Sequence, residues 1–567
     1  MRSRSRDRPG RLTRSQQAAP TLLGMATAVR PNIPRAKRTG LDVDLARLCE
    51  AGPAALEPDD HYRLKTYGVC AQRQDDRFMI RLRVAAGRID CDQVGVVAGL
   101  ARRYADGDVH LTTRQNLELH SVALPDVPAI YGALDAAGLA GRSACGHTIR
   151  NVMACPEAGT SIEEPFDVVP DARRLSRLLV SRSSELNVAL PSRLNIVLGG
   201  CTTCGLDALT NDIGLVARAR DGECGYQLWA GGSLGSAPRL SILLRPFITR
   251  DEVWPAVWTI VEWYCREGSI DQVARGRLKF LLEERGDAEF RQAFAKRFAE
   301  LAGEEEPPLD PVEPQADASL ERALALAPPQ GWGDGVRPQR QPGLATVTVR
   351  VPLGDLPAGD FERVAAVAPG GALHLSRSQN IVLRSVPVER VPEIVDQLAA
   401  IGVGPDGARS TTDVRACPGL TFCSLAITGS QPIAHTIETA LGDRPDLPRN
   451  VSIAVSGCPN SCARQQAADI GLTGTKVRLG GRTGLGYQLV LGADLAQGAL
   501  GQPVLKLFEE EVPAAVTAVL ETWVALRRPA EPIAATFRRL GLERVGAAVA
   551  LRLRPDGDRF VTENDLA

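Results

Sequence analysis

The sequence predicts an α+β protein built by duplication: two ferredoxin-like half-domains that pair with each other, and two α/β domains. Three observations carry this reading. The first is that the chain repeats itself. LTTRQNLELHSVALPDVPAIYGALDAAGLAG from Leu111 matches LSRSQNIVLRSVPVERVPEIVDQLAAIGVGP from Leu375, an offset of 264. PSRLNIVLGGCTTCGLDALTNDIGLVA from Pro191 matches PRNVSIAVSGCPNSCARQQAADIGLTG from Pro448 at an offset of 257, and GYQLWAGGSLG near Tyr226 echoes GYQLVLGADLA near Tyr487. Solenoid repeats run about 20–50 residues, so a period this long means two copies of a two-part unit. The second observation is alternation at the start of each copy: Phe78, Ile80, Leu82 and Val84 in RFMIRLRV, and Val347, Val349 and Val351 in TVTVRV. That is the period of half-buried strands. With the helix-period segment and the second strand that follow (NLELHSV in the first copy), it matches the β-α-β-β-α-β order of a ferredoxin-like unit. The third is the later part of each copy: a strand (LNIVLGG; VSIAVSG), a cysteine-bearing turn, and a helix leading to a second strand (IGLVA; IGLTG).

Element by element, residues 1–40 read as a disordered, Arg-rich extension or as sequence upstream of a start at Met25. Residues 41–130 read as the first half-domain and 131–302 as the first α/β domain. A Pro-, Glu- and Gly-rich linker is expected over 303–343, the second half-domain over 344–405, the second α/β domain over 406–550, and a C-terminal tail over 551–567. The 567 residues carry 66 Lys+Arg against 67 Asp+Glu, a formal net charge of -1, so no global field points to nucleic acid or a membrane surface. The most apolar helical run, Val516 to Leu526, carries Glu521, so no membrane span is expected. Thirteen cysteines, an odd number spread along the chain, do not read as a secreted disulfide framework. No apolar signal core follows the N-terminus. A reducing cytoplasm is the expected compartment.

The second copy holds ACPGLTFC, placing five residues between Cys417 and Cys423, and then SGCPNSC, placing three between Cys458 and Cys462. The nearest counterparts in the first copy are Cys155, Cys201 and Cys204, which do not reproduce the first pair's spacing; Cys201 and Cys204 read as a relic of duplication. Four thiolates on two loops suit a 4Fe-4S cluster, in which each iron takes one soft ligand. Zinc is the competing occupant, and the five-residue gap is wide for it.

At this point the residues resemble a known family. The paired motif within SGCPNSCARQQAADIGLTG is similar to the cofactor motif of siroheme-dependent nitrite and sulfite reductases of the ferredoxin-type assimilatory class. The resemblance runs from about residue 60 to about 550 and includes KTYGVCAQR, RFMIRLRV and LTTRQN. It implies siroheme and a 4Fe-4S cluster as cofactors, with Cys417, Cys423, Cys458 and Cys462 as cluster ligands and Cys462 bridging to the siroheme iron. It implies reduction of nitrite to ammonia, or of sulfite to sulfide, by six electrons that no side chain can store. It also implies anion-binding roles for Arg81, Arg150, Arg193 and Asn195, and a siroheme carboxylate ligand at Arg114. Arg83 shares Arg81's strand face and is a second expected cofactor contact. Arginine suits such a cavity because it stays charged and binds carboxylates or oxyanions through two N–H groups.

At Arg193 and Asn195, where sulfite reductases of the family carry Lys-x-Lys and nitrite reductases Lys-x-Asn, the sequence departs from both in having Arg193 for Lys, and Asn195 matches the nitrite pattern. Sulfite carries more negative charge than nitrite, so the neutral Asn195 favours nitrite. Cys70 replaces an aromatic residue, and Cys70 and Cys145 are expected near the same cavity and close enough to bond. His110, His120 and His147 are expected to be hydrogen-bonded structural groups. Glycines at 457, 471 and 474 are expected to let the backbone approach the cofactor. A precorrin-3B synthase-like oxygenase is the competing enzyme on this scaffold; outside enzymes, a cluster-only electron carrier or zinc-stabilised scaffold competes. No G-x-G-x-x-G lies between a strand and a helix, so electrons are expected from a ferredoxin or similar protein, with no nucleic-acid or membrane partner and a monomeric chain.

Overall fold

The computed structural model describes residues 30–301 and 334–554. Its strands form four five-stranded sheets. In the first half-domain, Val69–Ala71, Phe78–Leu82, Leu117–Val122 and Asp108–Leu111 lie side by side, antiparallel; in the second, Val336–Pro338, Leu344–Val349, Ile381–Pro387 and Ala372–Leu375 do the same. Each sheet then takes its fifth strand from the other copy. Asp355–Pro357 pairs with Asp108–Leu111, Leu356 opposite Val109, and Arg88–Asp90 pairs with Ala372–Leu375, Ile89 opposite Leu373. The exchange fuses the two half-domains around one hydrophobic core that runs from Ile80 and Leu119 to Phe361 and Ile394. The half-domains therefore cannot part without breaking a ladder in both sheets.

The two α/β domains share one sheet order. Ile149–Ala154, Leu194–Gly199 and Ile213–Arg220 run parallel, followed by antiparallel Glu223–Ala230 and Ile242–Thr249. Arg415–Ala416, Ile453–Ser456 and Ile470–Leu479 run parallel, followed by antiparallel Arg482–Leu491 and Gln502–Phe508. Each sheet has its own core, with Ile196 and Leu198 at the centre of one and Ile453 and Val455 at the centre of the other. Loops beyond the carboxyl ends of parallel strands are where such sheets place ligands. Both copies put cysteines there: Cys155 and Cys417 directly follow their first strands, and Cys201 and Cys458 lie two residues past their second.

Several expected boundaries move. The extension expected over 1–40 contains a helix, Ile33–Thr39, capped by Asn32, whose side chain accepts from the Arg35 amide, and started by Pro34; residues 1–29 lie outside the described residues. The linker expected over 303–343 ends early, because Val336 is buried and Val336–Pro338 pairs with Leu344–Val349; its residues 302–333 lie outside the described residues. The helix Val127–Ala136 crosses the expected boundary at 130 and keeps Ile130 and Leu134 in the half-domain core. The helix Leu542–Leu553 likewise crosses 550, and the tail from 555 lies outside the described residues. No helix among the described residues is long and apolar enough to cross a membrane.

Lys37 explains why the N-terminal helix stays down. It is 1% exposed, and its Nζ donates to the carbonyls of Asn187 and Leu190, the latter at 2.7 Å. Burial lowers its ammonium to about 7. Lys37→Ala leaves two buried carbonyls without a donor, a loss of about 1–3 kcal/mol, and is expected to lower the onset of thermal unfolding and open the chain near residue 40 to protease. An unchanged onset and digestion pattern would show that this contact does not hold the helix.

Candidate active site

Cys417, Cys423, Cys458 and Cys462 come together at the carboxyl ends of the parallel strands of the second copy. Burial pushes the thiols of Cys417, Cys423 and Cys458 up to about 11, and the nearby Cys462 sulfur adds to the effect on each. Buried thiolates need positive charge beside them, and irons supply it. The Gly457 N–H donates to Cys417 Sγ at 3.3 Å, and Ser430 Oγ lies 3.2 Å from the same sulfur. Among the described residues, only Cys155, Cys201 and Cys204 have three or more metal-binding atoms all within 4.8 Å of one another. The four sulfurs of the second copy stand wider than that, as one ligand per iron around a cube requires and a single ion does not. The donor set therefore fits a 4Fe-4S cluster.

The cysteine loops are held from several sides. Ser461 and Arg464 take left-handed backbone conformations, φ 59° and 65°, on either side of Cys462, a strained arrangement for residues with a Cβ. Gln465 stabilises it by accepting from Ser456 Oγ at 2.7 Å and Ser461 Oγ at 2.9 Å. Thr113 Oγ1, from the first half-domain, donates to the Cys462 carbonyl at 2.6 Å. The His120 ring stacks on Phe422, next to Cys423, at 4.1 Å. The glycines act differently from expectation: a Cβ on Gly474 would stand 2.2 Å from Thr428 Oγ1, so this glycine lets protein segments pack behind the loop.

Cys462 opens onto a cleft of about 420 Å³ whose lining includes Thr113, Arg114, Arg193, Asn195, Arg277 and Arg464. No carboxylate among the described residues forms an ion pair with Arg114 or Arg193, and Arg193 Nε is buried without a hydrogen-bond partner. Arg277 above all, then burial, then Arg114 and Arg150, pull Arg193 well below the ordinary arginine range, and Asp212 opposes them. Four guanidiniums thus act on one another, and among the described residues only Arg277 of the four is ion-paired, to Asp212. Such a pocket suits anions.

The predicted residues divide. Arg114, Arg193, Asn195 and Cys462 line the cleft. Arg150 lies behind them, donating to the carbonyls of Ala144 and Gly146. Arg81 is paired, with Nε to Glu118 Oε1 at 2.7 Å and Nη1 to Cys145 Sγ at 2.9 Å. Arg83 donates to the carbonyls of Ile149 at 2.8 Å and Arg150 at 3.3 Å, so it braces the strand that carries Arg150. The Asn195 side chain donates to Asp212 Oδ2 at 3.0 Å, leaving its own Oδ1 buried without a partner. Cys70 and Cys145 are free and adjacent: the Cys70 thiol hydrogen-bonds to Cys145 and, with Arg81, favours the Cys145 thiolate. His110 Nδ1 meets Asp355 Oδ1 at 2.5 Å, His120 Nε2 lies 3.3 Å from Glu118, and His147 packs edge-on against Tyr62.

Arg277, Asp212, Arg464 and Glu118 escaped the sequence reading. For Asp212 a signal exists in the repeat: NDIGL and ADIGL align Asp212 with Asp469 and Asn195 with Ser452. Asp212 Oδ2 accepts from the Asn195 amide at 2.8 Å, and Asp469 Oδ2 from the Ser452 amide at 2.8 Å. Glu118 is legible only in space.

Burial works against ionising Glu118, but Arg81 and the two histidines hold its carboxyl well below the ordinary 4.5. A depressed carboxyl stabilises the fold above its unfolded pKa and loses that contribution as pH falls. Glu118→Gln breaks a buried pair, for about 3 kcal/mol, so at neutral pH the variant is expected to unfold earlier on heating. The gap from the wild type should narrow as pH drops below 4.5; a gap that stays constant down to pH 3 would show that the ion pair does not matter.

Comparison with known proteins agrees with this geometry. The family described as "Nitrite and sulphite reductase 4Fe-4S domain" matches residues 145–301 and 407–555, and "Nitrite/Sulfite reductase ferredoxin-like half domain" matches 71–137 and 337–401. A ferredoxin–nitrite reductase of Synechococcus elongatus is 29% identical over 85% of this chain and 95% of its own length. The chloroplastic ferredoxin–nitrite reductase of Zea mays is 33% identical over 76% of each chain. The structure of the Mycobacterium tuberculosis NirA protein shares the fold, with a TM-score of 0.77 over 90% of this chain and 96% of that one at 23% identity. The chain belongs to the nitrite and sulfite reductase family, as an oxidoreductase of that type with siroheme and a 4Fe-4S cluster for cofactors.

Proposed function

We propose that this protein reduces nitrite to ammonium with electrons from a ferredoxin, as the names of its relatives state for them. In balance, nitrite takes six electrons and eight protons and yields one ammonium and two waters. The observation that carries the reading is the excess of guanidinium in the cleft beside Cys462: Arg114, Arg193 and Arg277 line it, and Arg150 acts on Arg193 from outside the lining.

Siroheme, when bound, supplies the iron on which a small oxyanion is reduced, and the cluster relays electrons to it singly. The chain's own residues hold and orient. Arg114 and Arg193 offer unpaired N–H groups to the carboxylates of the cofactor and to the substrate. Cys462, held from both copies, would be the chain's own ligand between the two cofactors. Arginine scarcely releases a proton, so protons must come from water, and the buried Glu118 with His110 and His120 offers polar groups behind Arg81. Thirteen free cysteines, several buried in pairs or triplets, suit a reducing compartment such as the cytoplasm.

Cys462→Ser is expected to abolish turnover and leave siroheme uncoupled from any cluster that remains, because an alkoxide replaces a bridging thiolate poorly. Iron content, siroheme content and magnetic resonance of the reduced protein check this; a serine variant with wild-type turnover ends the bridge assignment.

Nitrite is the proposed preference because Asn195 is neutral. Asn195→Lys adds a cation beside Asp212, which offsets part of its charge, so the effect should fall near the low end of the about 1–3 kcal/mol for a charged partner. That predicts a shift of about fivefold in the ratio of kcat/KM toward sulfite. Steady-state rates with reduced methyl viologen on both anions decide it, and a wild-type enzyme faster on sulfite would show that position 195 does not set the choice.

A further inference from the structure

The first copy carries a cysteine group for which the reaction gives no use. Cys155 ends the strand Ile149–Ala154, and Cys201 and Cys204 sit in the turn and short helix after Leu194–Gly199. Cys201 and Cys204 read as a relic in sequence, yet the three converge: their sulfurs all lie within 4.8 Å, with Cys155 Sγ 3.6 Å from Cys201 Sγ. We propose that Cys155, Cys201 and Cys204 bind a single Zn²⁺ ion through three thiolates, a second metal site in the half of the molecule that lacks the cluster.

The spacing selects one ion over a cluster. A Zn–S bond of about 2.3 Å with tetrahedral angles sets sulfurs about 3.8 Å apart, close to the distance found. Alignment of the copies reaches the same result by another route. Ala-Cys-Pro at 154–156 stands where Ala-Cys-Pro stands at 416–418, and Gly200-Cys201 where Gly457-Cys458 stands. Six residues beyond Cys155, where the second copy has Cys423, the first has Ser161, and opposite Cys462 it has Gly205. Two cluster positions thus lack a cysteine in the first copy, while Cys204, opposite Ser461, brings a third sulfur to single-ion range. A disulfide would satisfy two of the three sulfurs and leave the third.

The surroundings supply the rest of a zinc site. The Cys204 N–H points at Cys201 Sγ at 3.4 Å. Arg409 and Arg337 both act on Cys201, giving cations to offset three thiolates around a divalent ion. Glu164 is buried with its side chain 0% exposed; neither of its oxygens has a hydrogen-bond partner, and its nearest cation, Arg340, is 4.0 Å away. A Cβ on Gly200 would stand 3.1 Å from Glu164 Oε2 and 3.7 Å from Cys155 Cβ, so the orphan carboxylate adjoins the thiols. A water in zinc's fourth position would donate to Glu164 and satisfy it. The ion would tie the two strand ends to the helix Thr202–Asp207, and Asp207 in turn holds Arg377 at 2.7 Å and Arg464 of the Cys462 loop.

The test uses the purified holoenzyme, saturated with zinc and dialysed, for metal analysis and zinc-edge X-ray absorption. About one zinc per chain with about three sulfur neighbours near 2.3 Å is expected. Cys201→Ala and Cys204→Ala should each lose the zinc while iron content and siroheme absorption stay at wild-type levels. Absence of zinc from the saturated wild type, zinc bound through oxygen and nitrogen alone, a disulfide among the three in anaerobically isolated protein, or zinc retained by both variants would each overturn the site. The absorption measurement needs no variant, so it decides the matter even where a substitution impairs folding.

Discussion

The cleft rests on positive charge that the protein does not neutralise by itself. Arg114, Arg150, Arg193 and Arg277 stand close enough to act on one another while only Arg277 is paired with the buried carboxylate of Asp212, and taking an ion out of water costs several kcal/mol when its partner is missing. Part of that cost is offset locally. Arg277 Nη2 meets both oxygens of Asp212 at 2.9 and 2.8 Å, and Arg150 turns to backbone carbonyls. Arg193 has neither. A polycarboxylate cofactor and an anionic substrate complete this arrangement, so the same charge that selects the ligand makes the folded state depend on it.

The strand exchange explains how such a site keeps its shape. The cleft takes Thr113 and Arg114 from the first half-domain, Arg193 and Arg277 from the first α/β domain, and Cys462 from the second. Three bodies that could drift would not hold the Cys462 sulfur in place. Because Arg88–Asp90 and Asp355–Pro357 are each built into the other copy's sheet, the half-domains move as one piece. Thr113 then ties that piece to the Cys462 backbone, and Arg464 ties the cysteine loop to Asp207 of the first copy.

What the sequence disclosed follows from where the determining contacts lie. The duplication is legible because whole segments recur at offsets of 264 and 257, and the strands RFMIRLRV and LNIVLGG and each of the two cysteine pairs because they are short local patterns. The exchanged strands are three residues long, with a single buried apolar side chain at each centre, Ile89 and Leu356. No periodicity can mark them, since their partners are chosen by tertiary packing more than 200 positions away. The same holds for the charges. Arg81 and Arg83 were identifiable as strand arginines on one face, but only the fold shows that Glu118 takes one and the carbonyls of Ile149 and Arg150 the other. Cys201 and Cys204 read as a relic in sequence, although the sheet brings them together with Cys155 in space.

Asn195 shows how duplication limits the way a site can vary. In both copies the backbone amide of this strand position donates to the Asp of Asp-Ile-Gly-Leu, whether the side chain is Asn195 or Ser452. Both side chains also donate to that carboxylate, at 3.0 and 2.6 Å. A short polar donor here is therefore a device of the fold, present in the copy that faces the cleft and in the copy whose strand holds the cluster side. In the first copy alone, Arg277 adds a cation to the same carboxylate. Any change of charge at position 195 thus acts first on the Asp212–Arg277 pair and only through it on an anion in the cleft. Asn195, Asp212 and Arg277 are one linked unit beside the cleft, and a substitution at any of the three disturbs the other two.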